Sequence, residues 1–277
     1  MSSEVRNSLT AAEILYGVRT RAHAIEQLPE IQRPQNIVQS YQLQDELNKK
    51  LSGELGLPMG YKIGCTTEVM QSYLNIPHPC AGRIFQSTAQ FGQAQYRLAD
   101  LCRPGVECEI AVLIGKDMPA GNSYTAQQSY TSIDAVMASI ELVDDRWIDY
   151  QAVDVYSLIA ENFFGAGCVL GQPVSLGFDE LASVTGELRV NGSLTGTGCG
   201  ADILGHPCEA LAWLANHQIE RGRPLRAGDY VSLGSVVKTQ WLDVGDTVDI
   251  NFAGLGCLLY TSPSPRDATL SRMPSSA

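Results

Sequence analysis

The sequence predicts an α+β protein: a helical N-terminal part followed by a twisted sandwich or barrel-like sheet. Three observations carry this. Apolar residues recur at helical spacing through residues 11–52, glycine and proline cluster at 53–60, and beyond Gly60 short β-like runs alternate with Gly and Pro.

Ala11, Ala12, Ile14, Leu15 and Val18 define the first helix, with Thr10 as its cap. Ile37, Tyr41, Gln44 and Leu47 continue in a second. Gly53, Gly56, Pro58 and Gly60 then break the chain, so a helical lobe is placed at 1–58 and a β-rich catalytic domain at 59–256. Strands are expected over 107–114, 141–146, 188–191, 230–235 and 247–252. Helices are expected around 132–138 and over 208–220. The Gly-rich stretch 192–200 lacks a phosphate-loop pattern and reads as a hairpin loop. Residues 257–277, rich in Ser and Pro near their end and without a period, read as a non-native or disordered tail.

A net charge of −11 repels phosphate backbones and anionic lipid, which argues against nucleic acid and membrane partners. It also disfavours an anionic substrate unless a local cation reverses the field. No membrane-length apolar run or secretion signal is evident, and the eight cysteines form no C-x-x-C pair. They read as reduced cytosolic thiols, and the protein as cytoplasmic.

The centre of the chemistry is residues 106–114. As a strand, this run sends Glu107 and Glu109 to one face, roughly 7 Å apart, where two carboxylates can converge on a cation. The same spacing also fits a polar strand face at a lobe edge. Glu141 and Asp144 follow in apolar company, and oxygen ligands without nearby His or Cys suit Mg²⁺ or Mn²⁺ better than zinc. Asp144, Asp145 and Arg146 also read as a surface charge cluster. Lys62, in a Gly-flanked apolar run, is either a proton-handling ammonium with a lowered pKa or a snorkelling side chain.

Gly60–Thr66, Glu107-x-Glu109 and 141–146 together resemble the fumarylacetoacetate hydrolase superfamily, and more narrowly its branch of 2-oxopent-4-enoate hydratases and 4-oxalocrotonate decarboxylases. The stretches 162–171, 204–207, 212–214, 227–229, 234–235, 244–246 and 252–256 extend the resemblance to Gly256. It implies a helical part before a β-roll, a metal (Mg²⁺ or Mn²⁺) on Glu107, Glu109 and Glu141, and Lys62 as the proton-handling residue. It further implies a small 2-oxo acid as substrate and homo-oligomers, and leaves open a complex with a related decarboxylase. The implied activity is water addition to a 2-hydroxydienoate in aromatic meta-cleavage catabolism. Decarboxylation of a 2-oxo acid, acylpyruvate-type C–C hydrolysis and an inactive metal-binding homologue are the alternatives.

The chain departs from that pattern once. Cys80 stands where hydratases carry an acidic residue after a proline, and Arg83 nearby offers a carboxylate partner in its stead. A small buried filler and a strand-end charge are the plainer readings of these two. Asn162 and Ser235 match family positions near the substrate, and read equally as a turn former and a loop hydroxyl. His206, before Pro207, orders a helix start or contributes to substrate binding.

Overall fold

The computed structural model describes residues 9–121 and 123–261. Helix α1 (Ala11–Thr20) starts at a capping box, in which Thr10 and Glu13 exchange side-chain and backbone hydrogen bonds. Its apolar stripe, Ala11, Ile14, Leu15 and Val18, is buried. After an irregular stretch, α2 (Ile37–Leu55) starts at Asn36, whose side chain accepts the Gln39 N–H, and stops at Gly56 in a positive-φ conformation.

Then follow β1 (Pro58–Gly64), α3 (Glu68–Leu74), β2 (Cys80–Phe85), β3 (Ala89–Phe91), β4 (Ala94–Gln95) and β5 (Pro104–Ile114). Next come α4 (Ala126–Tyr130), β6 (Ile133–Asp144), α5 (Val155–Ala160), β7 (Gly165–Leu170), α6 (Phe178–Ser183), β8 (Thr185–Val190) and β9 (Ser193–Cys199). The chain continues through α7 (Pro207–Glu220), β10 (Tyr230–Ser235), β11 (Gln240–Trp241), β12 (Thr247–Phe252) and β13 (Gly256–Thr261).

Two sheets result. The larger runs β2-β1-β10-β5-β6-β7-β3, with β11 added beside β5, and the smaller runs β4-β13-β12-β8-β9. Alternation along β5 divides its side chains between two environments. Val106, Cys108, Ile110, Val112 and Ile114 join the main core, against which β8, β12 and β13 of the smaller sheet pack. Glu107, Glu109 and Ala111 take the opposite face. The helical part shares the main core through Ile14, Leu15, Leu47 and Leu51, and α2 packs on α5 and β2.

Four expectations are corrected. The helix placed at 132–138 is the start of β6, and the helix lies earlier, at Ala126–Tyr130 behind a Thr125–Gln128 capping box. Both faces of β6 are buried, which removes the alternation that marks a strand. The loop placed at 192–200 is mostly β9, because Asn191 and Gly192, both at positive φ, already make the whole turn. The tail placed from Cys257 begins later: β13 pairs antiparallel with β12 and parallel with β4, burying Leu258 and Tyr260. Residues 262–277 lie outside the described residues. Finally, Asp144, Asp145 and Arg146 are buried rather than a surface cluster.

Candidate metal centre

Strand register builds the site. Glu107 lies opposite Glu141 on β6, Glu109 opposite Ser139, and Ala111 opposite both Met137 and Ser232 of β10. Ser232 in turn neighbours Lys62 of β1, which faces Gly82 of β2. Because paired residues point to the same side, one sheet face carries three carboxylates and an ammonium. One oxygen from each of Glu107, Glu109 and Glu141 lies within 4.8 Å of the others.

The surroundings make this cluster costly without a cation. Glu109 and Glu141 are buried, and Glu109 Oε1 and Glu141 Oε2 are sealed from solvent with no hydrogen bond. Ser232 donates to the other oxygen of Glu109, and Thr239 donates to Glu107. Burial, reinforced by the charges of Glu141 and Glu107, holds the Glu109 carboxyl far above its usual range. Burial likewise pushes Glu141 up to about 7 against the pull of Lys62. Two orphaned carboxylate oxygens aimed into one cluster, with no sulfur or nitrogen ligand among them, fit a hard divalent cation.

Lys62 Nζ lies 3.1 Å from Glu141 Oε1 and donates to the Phe163 carbonyl at 2.9 Å. Burial disfavours its charge, yet the carboxylates of Glu141, Glu107 and Glu109 outweigh burial and raise its pKa above the usual lysine value. Without a cation, the acidic neighbours thus keep the ammonium protonated, whereas the lowered pKa is the expectation for an ammonium beside a metal.

The Phe163 carbonyl is delivered by an unusual turn. Asn162, Phe163 and Phe164 are all left-handed, with φ of 68°, 48° and 62°, a conformation costing on the order of 1–2 kcal/mol per non-glycine residue. Several bonds hold it. The Phe164 N–H donates to Glu161, its carbonyl accepts from Asp144 N at 2.8 Å, and Arg146 bridges Glu161 (2.6 Å) and Asp144 (3.2 Å). Gly82 is required beneath the turn, since a Cβ there would stand 2.9 Å from the Asn162 carbonyl and 3.1 Å from Lys62 Cδ.

The other expected site residues are distributed unevenly. Arg83 lines the cleft beside Lys62 and Glu141, its guanidinium 4.0 Å from the Tyr61 ring centroid. Cys80 is fully buried, and burial together with its contact to Cys65 keeps the thiol well above its usual pKa. A neutral thiol supplies neither the charge of a carboxylate nor a nucleophile. Asn162 is spent on the protein: its Oδ1 accepts the Arg83 N–H and its Nδ2 donates to Asn48. The Ser235 hydroxyl is within bonding distance of the Cys108 and Val237 carbonyls, at 3.1 and 2.6 Å. His206 is the N-cap of α7: Nδ1 accepts the Cys208 N–H, which leaves the proton on Nε2 facing the Phe178 carbonyl. The structure does not bring its ring among the residues lining the cleft.

Arg19 was missed. It comes from α1 into the cleft that Lys62, Glu141 and Ser232 line. The residue is partly exposed, yet its Nη1 is sealed from solvent and unbonded. Burial, then the like charge of Arg146, pushes the guanidinium down to about 9. No sequence signal separates it from Arg21, because a helical arginine next to a polar turn looks like a solvated one.

The model of the fumarylacetoacetate (FAA) hydrolase C-terminal family matches residues 90–261. The chain belongs to that family. A 2-keto-4-pentenoate hydratase of Burkholderia vietnamiensis is 33% identical over 214 residues, covering 77% of this chain and 80% of the relative. A 2-hydroxyhexa-2,4-dienoate hydratase of Comamonas testosteroni is 32% identical over 214 residues, covering 75% and 78%. Among solved structures, the 4-oxalocrotonate decarboxylase of Pseudomonas putida G7, complexed with magnesium and adipate, superposes with a TM-score of 0.85 at 23% identity. It covers 94% of this chain and 98% of its own. That likeness speaks to the fold, including the helical part that precedes the sheets.

Proposed function

We propose that this member of the family is a hydratase, a hydro-lyase that adds water to a 2-hydroxydienoate to give a 4-hydroxy-2-oxo acid. The observation that carries the reading is the three-carboxylate cluster with Lys62 ion-paired to it, in a chain a third identical to a 2-keto-4-pentenoate hydratase. Glu107, Glu109 and Glu141 hold Mg²⁺ or Mn²⁺, which when bound supplies Lewis acidity at the 2-oxo acid end of the substrate. Lys62, held 3.1 Å from Glu141, gives a proton to C5 of the dienol and takes one back as the 2-hydroxyl becomes a ketone. The resulting C3–C4 double bond is conjugated to that ketone, so C4 is electrophilic and water adds there. The Phe163 carbonyl keeps Nζ aimed into the cleft, and Arg83 at its wall offers charge to the substrate carboxylate.

In this reading Asn162 serves by holding the backbone of Arg83 and Ser235 by bonding backbone carbonyls, rather than by touching substrate. Cys80, where the resemblance expects an acid, favours a second reading: decarboxylation of a 2-oxo acid, which shares the metal and Lys62. Cytoplasmic placement and homo-oligomers belong to the same proposal. Eight free cysteines support the former, and no helix among the described residues is long and apolar enough to cross a membrane.

The test is an ultraviolet assay with Mg²⁺ and fresh 2-hydroxypenta-2,4-dienoate, beside Glu107→Ala and Lys62→Ala. Metal-dependent loss of dienol absorbance with 4-hydroxy-2-oxopentanoate as product, absent in both variants, is expected. Turnover of 4-oxalocrotonate with none of the dienoate would transfer the assignment to the decarboxylase.

A further inference from the structure

Arg19 is a partly exposed cation with one sealed donor, Nη1, whose natural partners are occupied. The nearby carboxylates, Asp144 and Glu161, are both engaged by Arg146 at 3.2 and 2.6 Å. The other cations of the cleft are also committed, Lys62 to Glu141 and the Phe163 carbonyl, and Arg83 to the Tyr61 ring. Arg19 Nη1 alone of these has a donor sealed from water with nothing to accept it. A guanidinium left so is costly, and an anion from outside the chain relieves it.

Its position says which anion. The cleft that holds Glu141 and Lys62 reaches Arg19 past Thr88 and the small residues Gly165, Ala166 and Gly167. Arg19, Thr88 and Ala166 also line a second, outer opening, where Thr20 and Glu54 take the place of Glu141 and Lys62. Arg19 is therefore shared by the cleft and that opening, whereas Glu141 and Lys62 line the cleft alone. The 2-oxo acid end of a substrate belongs at the cluster. What reaches Arg19 is the far end of the molecule, past a floor of small side chains that suits an unbranched chain.

We propose that Arg19 is a specificity-determining residue that binds a second, distal carboxylate, so that the preferred substrate is a 2-oxo dicarboxylic acid rather than a 2-oxo acid with an apolar end. This rests on the 2-oxo acid reading of the cleft, and it gives the N-terminal helix a part in recognition.

The test is calorimetric binding to the full chain with Mg²⁺ present, using two unreactive saturated acids of equal length, 2-oxoadipate and 2-oxohexanoate. The wild-type protein is expected to favour 2-oxoadipate roughly ten- to a hundredfold, the range of one charge-assisted bond pair. Arg19→Gln should lose that preference while its affinity for 2-oxohexanoate holds. Should Arg19→Gln fail to fold, Arg19→Lys replaces it and must still narrow the preference, because an ammonium lacks the two-pronged fork. Equal wild-type affinities, or a variant that weakens both acids alike, would overturn the proposal, the latter by putting Arg19 on the shared end. The measurement involves no turnover. A protein inert toward both 2-hydroxypenta-2,4-dienoate and its dicarboxylic counterpart 2-hydroxyhexa-2,4-dienedioate that still prefers 2-oxoadipate fails the hydratase reading and keeps Arg19, whereas binding of neither acid removes both.

Discussion

Replacing Glu109 by glutamine should stabilise the metal-free protein and abolish the stabilisation that a divalent cation brings. Glu109 is fully buried, and carboxylate oxygens of Glu107 and Glu141 lie within 4.8 Å. Ionised, Glu109 would be repelled by each by roughly 3 kcal/mol at an effective dielectric of about 20, partly offset by Lys62, and it escapes this only by holding a proton that the unfolded chain releases at pH 8. Glutamine keeps the shape and can still accept from Ser232, but carries no charge. At pH 8 in EDTA, Glu109→Gln is expected to gain about 1–3 kcal/mol, a rise of roughly 3–10 °C in Tm for a chain of this size. At a cation concentration about a thousand times Kd, the wild-type protein gains about 4.1 kcal/mol, whereas the variant gains little. The stability order of the two proteins should therefore invert between EDTA and saturating Mg²⁺. Thermal melts in the two buffers read this directly. A variant less stable than wild type in EDTA, or one shifted equally by Mg²⁺, would refute the electrostatic account of the cluster.

Three other outcomes follow from the same geometry. The metal-free protein should lose stability as pH rises from 4.5 to 7, because folded Glu141, with its pKa raised from 4.5 to about 7, keeps a proton that the unfolded chain releases. This group alone contributes about 3 kcal/mol to a urea-melt series, and saturating Mg²⁺ should flatten the slope. Gly82→Ala should cost roughly 1–3 kcal/mol and depress turnover by pushing on Lys62 and the Asn162 carbonyl, while Gly53→Ala, with open space around it, should leave turnover intact. His206→Ala should cost about 1 kcal/mol of stability through the lost cap and leave kcat and KM unchanged; a raised KM would return His206 to substrate binding.

The parts of this site legible in the sequence are those carried by local period. Two glutamates two residues apart in an apolar run share a strand face, so Glu107 and Glu109 were readable as a pair. Glu141 could be joined to them only through the family resemblance, because the register that sets it opposite Glu107 is a matter of long-range pairing. Lys62 was visible as a lysine out of place among glycines, but the sign of its pKa shift was not. That sign depends on three carboxylates brought in from two other strands. The helix misplaced at 132–138 has a related cause, since a strand buried on both faces loses the alternation by which strands are known. Asn162, by contrast, was readable as a turn former. What the sequence hid is that two phenylalanines follow it into the left-handed region, a choice no local propensity favours and one held by the Arg146–Glu161 pair.

The order in which the sheet is strung has a kinetic side. The three glutamates lie on β5 and β6, adjacent antiparallel strands that can find each other early. Lys62 reaches them through a parallel pairing of β1 with β10, whose registered residues 62 and 232 lie most of the chain apart. Contacts of such different span form at different times. If the proposed roles hold, a refolding chain should thus be able to grip a cation on its central ladder before Lys62 joins it. The ion then acts first as a nucleating clamp and only later as a cofactor, with regain of catalysis trailing regain of cation affinity.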